Sequence, residues 1–295
     1  MNKVIARVFG GLGNQLFIYA AARRIAILND SELILDDISG FTYDSQYRRV
    51  YELDKFNIPC RKALACERFE PFSRARRYFT RAYNAHLPFE RRWYICQDGP
   101  DFDSRILGLK LNGDTYLEGY WQSEDYFCDI KSTVQEELRF CAPVGDSNIS
   151  FAKALVHENS VAVHVRFFDT INVSPTNCVS IDYYQRAIAE MDMRVLDAHY
   201  YIFSDDPMRA RSFIPLPNER FTLVTHNQNE GGAYSDFWLM TQCRHFIIAN
   251  STFSWWGAWL ALGSEKVVIA PGLEKLDGST NWGFRGLLPS RWVRL

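Results

Sequence analysis

The chain has 295 residues, with 33 basic and 35 acidic side chains and a formal net charge of −2. That length exceeds one ordinary core and suits two domains, and the near balance of charge leaves no electrostatic footprint for nucleic acid. No apolar run approaches the ~20 residues of a membrane-spanning helix, and Arg7 interrupts the start too early for a signal peptide, so a cytoplasmic protein is expected, with peripheral contact at the inner face of a membrane left open.

The seven cysteines are odd in number and scattered, with no Cys-x-x-Cys pair. Free thiols are therefore expected, and neither a metal site nor a cofactor.

In chain order, residues 4–9 read as a short apolar strand, Gly10-Gly11-Leu12-Gly13 as a flexible turn, and residues 14–28 as a helix with one broad apolar face. Residues 33–35 read as a second strand closing on Asp36 and Asp37. A strand–helix–strand unit of this kind predicts a parallel sheet. Between residues 61 and 92, arginines alternate with Phe69, Phe72, Tyr78, Phe79, Tyr83 and Trp93. The favoured reading is a solvated helical pair with its aromatic side packed inward; the other is a patch for an anionic acceptor or a membrane surface. Residues 115–121 read as a strand.

The turn-rich stretch 142–148 marks the domain boundary. It divides the chain into two domains, 1–145 and 146–295. Beyond it, strands are expected at 161–165, 200–203, 221–224, 246–249 and 267–270, and helices at 181–191, 207–213, 235–243 and 253–262, the first of them capped by Ser180. Five strands alternating with helices predict an α/β, doubly wound open sheet.

Ligands of such sheets bind beyond the carboxyl ends of the strands. There the sequence turns polar four times: at His164, Arg166 and Asp169, at Ser204, Asp205 and Asp206, at residues 225–227, and at Asn250, Ser251 and Thr252. Repeated polar exits suit an anionic nucleotide. Ser251 and Thr252 open a helix, where free N–H groups and the positive dipole end attract phosphate. Arg166 can grip a diphosphate through two parallel bonds and neutralise charge on a departing nucleoside diphosphate without a metal. His164 adds a second cation or a neutral donor. Gly10-Gly11-Leu12-Gly13-Asn14-Gln15-Leu16 has the opening of a dinucleotide fingerprint, but Leu16 occupies its third glycine position. The loop more readily brings backbone and the Asn14 and Gln15 amides to a ligand.

Five blocks in order carry a family resemblance: residues 10–17, 119–124, 179–184, 202–206 and 248–258, the last reading Ile-Ala-Asn-Ser-Thr-Phe-Ser-Trp-Trp-Gly-Ala. Together they resemble the α-1,2-fucosyltransferases of glycosyltransferase family 11, a group that includes bacterial O-antigen and blood-group H enzymes. The resemblance implies two Rossmann-like domains facing a cleft (the GT-B architecture), GDP-fucose as donor, a galactose-containing glycan or lipid-linked oligosaccharide as acceptor, inversion at the anomeric carbon, and no metal. It implies that His164, Arg166 and Asp169 serve the donor and the chemistry, with Asp169 either accepting the acceptor's proton or orienting Arg166. It implies that Asn250, Ser251, Thr252 and Phe253 hold the diphosphate, that Ser204 with Asp205 or Asp206 meets the guanosine, and that Gly11, Gly13, Asn14 and Gln15 face the sugar. Phe167 departs from the family pattern, standing where a second arginine is usual. A weaker enzyme, a changed donor or acceptor, a compensating basic residue, or a catalytically silent glycan- or nucleotide-binding module are the alternatives this departure opens.

Overall fold

The computed structural model describes residues 1–141, 144–167, 178–227, 231–263, 265–274, 280–282 and 284–295. Two compact units emerge, Met1–Cys141 with Phe284–Leu287 and Ala142–Gly283 with Leu288–Leu295. Residues 284–287 thus leave the second half of the chain for the first. They are tied there by Phe102 N donating to Arg285 O (3.1 Å) and Arg285 N donating to Asp101 Oδ1 (3.2 Å).

In the first unit the elements are β1 (Lys3–Arg7), α1 (Leu12–Leu28), β2 (Glu32–Asp36), β3 (Arg61–Lys62), α2 (Ser73–Ala85), β4 (Tyr94–Cys96), β5 (Thr115–Glu118) and α3 (Lys131–Glu137). The sheet runs β3-β2-β1-β5-β4 with every pairing parallel. Val4, Ile5 and Ala6 are buried together, as expected of a central parallel strand covered on both faces. The order reverses between β1 and β5, so the exits of those two strands form a topological switch point.

The helix α2 overturns the expectation of inward aromatics. Its buried residues are Arg77 and Asn84, while Tyr78, Phe79 and Tyr83 are exposed. Asn84 explains the orientation. Its Oδ1 accepts from Trp93 N (2.9 Å) and Tyr94 N (3.0 Å), and its Nδ2 donates to Thr80 O (2.9 Å). That amide satisfies buried backbone at the start of β4, and the aromatic residues of the same helix are turned outward.

The second unit contains α4 (Asp146–His157), β6 (Ser160–Val165), α5 (Ile181–Arg194), β7 (His199–Ser204), α6 (Pro207–Arg211), β8 (Phe221–Leu223), α7 (Gly232–Gln242), β9 (His245–Ile247), α8 (Thr252–Leu260), β10 (Val268–Ala270), β11 (Leu273–Glu274), β12 (Thr280–Trp282) and β13 (Val293–Arg294). Its main sheet has the order β13-β10-β9-β6-β7-β8, again all parallel. Four of these elements, α4, β11, β12 and β13, go beyond the sequence expectations. Helix α4 begins inside the stretch read as turn, just after Gly145 at φ 84°. Strand β13 supplies a sixth strand, too short to leave a periodic signal. The expected Ser180 cap is present: its side chain accepts from Tyr183 N.

Trp255, Trp256 and Trp259 are fully buried around α8. Helices α7 and α8 pack closely enough that a Cβ on Gly257 would sit 2.5 Å from Met240 Sδ. In the first unit Gly40 is tighter still, because a Cβ there would meet the Val8 carbonyl oxygen at 2.0 Å. Backbone cannot move aside as a methionine can. Gly40→Ala is therefore expected to destabilise the first unit by about 1–3 kcal/mol, the range for overpacking a tight contact. Denaturant unfolding checks this, and an unchanged midpoint would contradict the close approach.

Candidate functional site

The site is built at the reversal of strand order in the second unit. Strand β6 lies between β9 and β7, with Val163 opposite Ile247 and Val165 opposite Ser204. Extending the register, Arg166 leaves the sheet beside Asp205 on one side and Asn250 on the other. Neighbouring strands are ~4.8 Å apart, so three of the four polar exits named from sequence converge on one edge.

The contacts agree with that placement. Arg166 Nε lies 3.4 Å from Asp205 Oδ2, and Asp205 Oδ1 accepts from Phe167 N at 3.1 Å. Asp205 thus holds both the guanidinium and the backbone that carries it. Asp206, one of the two aspartates expected to meet the guanosine, caps α6 by accepting from Arg209 N (3.0 Å). Ser204 Oγ accepts from Asp206 N (3.1 Å) and shapes the same turn. Asp169 lies outside the described residues.

On the other side, Ser251 is the N-cap of α8 but makes no side-chain capping bond. Its hydroxyl is not committed to the cap, and the first-turn N–H groups point out of the helix start as an anion site requires. Thr252 and Phe253 form that first turn. The Phe253 ring packs on His164 at 5.7 Å between centroids and on Phe237 at 5.0 Å.

His164 joins the two sides. Its Nδ1 is 2.9 Å from Ser254 Oγ, which in turn donates to Ser251 O at 3.3 Å. A hydroxyl has one proton, so with that proton on the Ser251 carbonyl the bond to His164 runs from Nδ1–H to Ser254. His164 is buried. Burial, followed by the neighbouring Arg166 charge, pulls its pKa down to about 3. The second cation allowed by the sequence is thus a neutral imidazole that fixes the start of α8. Two tyrosines of α5 fasten the strands from below: Tyr184 OH donates to His164 O (2.9 Å) and Tyr183 OH to Ile248 O (2.8 Å).

In the first unit, Gly11 is the N-cap of α1 and Gly13 is buried in its first turn. Asn14 Oδ1 accepts from Gln122 Nε2 at 2.7 Å. Gln15 departs from its expected ligand role. Its amide is fully buried, donating to Gly10 O (2.9 Å) and Val50 O (2.8 Å) and accepting from Glu52 N (2.9 Å). A buried amide must satisfy its own donors and acceptor, and here the chain at 50–52 does so.

Sequence reasoning left the consequence of Phe167 open. Phe167 is buried in the second unit's core, against Phe213 (5.1 Å), and the Arg209 guanidinium lies over its ring at 4.0 Å. A basic residue from α6 thus stands over the position that departs from the family pattern. Its signal in sequence was only an arginine two residues after Pro207, which reads equally well as helix surface.

A model for glycosyl transferase family 11 matches residues 3–277. The chain belongs to this family. It is 30% identical over 322 aligned positions to an alpha-1,2-colitosyltransferase of Escherichia coli, covering 100% of this chain and 99% of that protein. It is 28% identical to the O-antigen biosynthesis glycosyltransferase WbnK of Escherichia coli, covering 89% and 91%. Among solved structures it resembles POFUT1 in complex with GDP-fucose, with a TM-score of 0.51 at 13% identity over 91% of this chain and 98% of that one. That likeness concerns the fold: this family 11 enzyme has the GT-B fold. Among the described residues, no helix is long and apolar enough to cross a membrane.

The His164 geometry sets a pH dependence. A histidine whose folded pKa is depressed contributes stability that is fully present above ~6.5, its unfolded value, and is lost as pH falls toward about 3. The His164 ring is expected to stay neutral in NMR titrations from pH 8 to pH 5. A midpoint near the free value would show that it is neither buried nor fixed on Ser254.

Proposed function

We propose that this glycosyltransferase moves L-fucose from GDP-fucose to the 2-hydroxyl of a galactoside, with inversion and without a metal. The observation that carries the proposal is the convergence of Arg166, held by Asp205, on the strand edge from which α8 opens with an uncapped N-terminus. When the sugar–phosphate bond breaks, negative charge gathers on the β-phosphate of the leaving GDP. A guanidinium and a set of oriented N–H groups stabilise that charge, and both are in place before the reaction. Because His164 is neutral, Arg166 is the cation of this cluster, and the imidazole acts as a positioning residue for Ser251 and the α8 turn. The acceptor hydroxyl attacks the anomeric carbon as GDP leaves, and its proton goes to a base. Asp169 is the proposed base: orienting Arg166, its alternative role, is already performed by Asp205.

A second reading changes the donor sugar. It is favoured by full-length similarity to a colitosyltransferase and by Phe167 with Arg209 above it. In that reading the GDP site is unchanged and a colitosyl donor replaces the fucosyl one.

GDP is expected to raise the melting temperature in the presence of EDTA, while ADP does not, since a ligand of the native state stabilises by mass action. No shift at millimolar GDP would overturn the proposed donor class. Incubating GDP-fucose and other GDP-sugars with a galactoside library, with product linkage read by mass spectrometry and NMR, separates the two readings. Arg166→Ala is expected to lower kcat by about 10²–10³-fold with the fold intact, the loss typical of removing one transition-state donor. Full activity in that variant would remove Arg166 from the mechanism.

A further inference from the structure

The first unit contains a cavity of about 820 Å³ at the exits of its two switch strands, within the size range of small-molecule sites. Its lining includes Arg7 from the end of β1, Glu118 from the end of β5, and Arg74, Arg77 and Arg81 from α2. Among the described residues Glu118 is the one carboxylate of the lining, and it is already matched. It accepts from Arg7 Nη1 (2.8 Å) and from the Tyr94 hydroxyl, while Arg7 Nε and Nη2 donate to Ser39 Oγ and Ser39 O. The buried Asp36 carboxylate accepts from Ser39 and Tyr116. The three arginines of α2 therefore face the cavity without a balancing carboxylate in its lining.

Arg77 is the decisive one. Only 8% of it is exposed, and its Nη1 is buried without a hydrogen-bond partner among the described residues. An unmatched buried cation is strongly unfavourable unless something of opposite charge is meant to meet it. Arg74, Arg77 and Arg81 stand at i, i+3 and i+7, on one face of the helix, over about 10 Å of its length. A single carboxylate brings one charge and two oxygens, too few for three guanidinium groups so spaced. A phosphate or diphosphate brings two or more charges and several acceptor oxygens, which guanidinium groups bind through paired bonds. Tyr43, Phe72, Tyr78 and Phe79 also line the cavity and are exposed, and they offer ring faces to whatever the phosphate is attached to.

We propose that this cavity is an anion site for a phosphate- or diphosphate-bearing ligand, with Arg77 as its inner contact and Arg74 and Arg81 at its mouth. The site belongs to the first unit and does not depend on which sugar the second unit transfers. In a glycosyltransferase whose nucleotide donor is held by its second unit, such a ligand is an acceptor carrying a phosphate or diphosphate group.

The test is calorimetric titration of the whole protein, saturated with GDP, with inorganic pyrophosphate at low salt. It is repeated with geranyl diphosphate, and with phosphatidylglycerol vesicles that lack any diphosphate. An Arg166→Ala background, measured in parallel, removes the donor site as a second place for pyrophosphate. The expected result is saturable pyrophosphate binding in both backgrounds, weakened about tenfold or more by Arg77→Met and by Arg81→Ala and weakened by salt. Geranyl diphosphate should bind more tightly than pyrophosphate through the aromatic rim. Without ligand, Arg77→Met should melt no lower than the parent chain, since it removes an unmatched buried charge. Should it unfold instead, the exposed Arg81→Ala decides. The proposal is overturned if pyrophosphate fails to bind, if binding ignores both variants, or if only the vesicles bind. A chain that takes GDP but no pyrophosphate loses this proposal and keeps its donor site.

Discussion

One constraint organises the second unit: the reversal of strand order between β6 and β9. It brings the end of a strand that delivers a guanidinium beside the loop that opens a helix. The reversal needs local fastening to be of use. The His164–Ser254–Ser251 chain supplies it on the helix side, and Asp205 supplies it on the arginine side. Both fastenings draw on groups that are polar and wholly or partly buried, so a substitution in either leaves a partner unmatched rather than merely loosened. The neutrality of His164 belongs to the same logic. A charged imidazole there would be buried beside Arg166, and desolvation and like charge both oppose it.

The first unit repeats the architecture with different chemistry. Its reversal falls between β1 and β5, and the residues ending those strands, Arg7 and Glu118, neutralise each other. Further charge comes from α2, a helix that is inverted relative to ordinary packing, with Arg77 and Asn84 inside and tyrosine and phenylalanine outside. The second unit places Arg166 on the edge from which α8 opens, and the first adds an arginine-lined cavity at the exits of its switch strands.

The candidate residues divide by how their side chains are used. That Ser251 and Thr252 open a helix was legible because a strand running into a helix through hydroxyl residues is a local pattern. The place of Arg166 at a strand exit was legible, and its counter-charge there is Asp205. Gln15 and Asp206 looked identical in type to ligand contacts, yet one satisfies buried backbone at 50–52 and the other caps α6. Local sequence does not show which polar atoms a neighbouring segment will claim. Helix α4 began within residues that carry turn signals, and β13 is too short for periodicity to register.

What the sequence determined by itself was the alternation of strands and helices, the places where the chain turns polar, and the family blocks, since each depends on residues close in the chain and on the fixed periods of helix and strand. The tertiary structure decided which of those polar exits meet, that His164 is a neutral fastener rather than a second cation, that Arg209 stands over Phe167, and that Arg77 Nη1 is buried with no hydrogen-bond partner among the described residues. Strand order, burial and charge matching are relations between distant segments. They come into being only when the sheet assembles, and no window of sequence contains them.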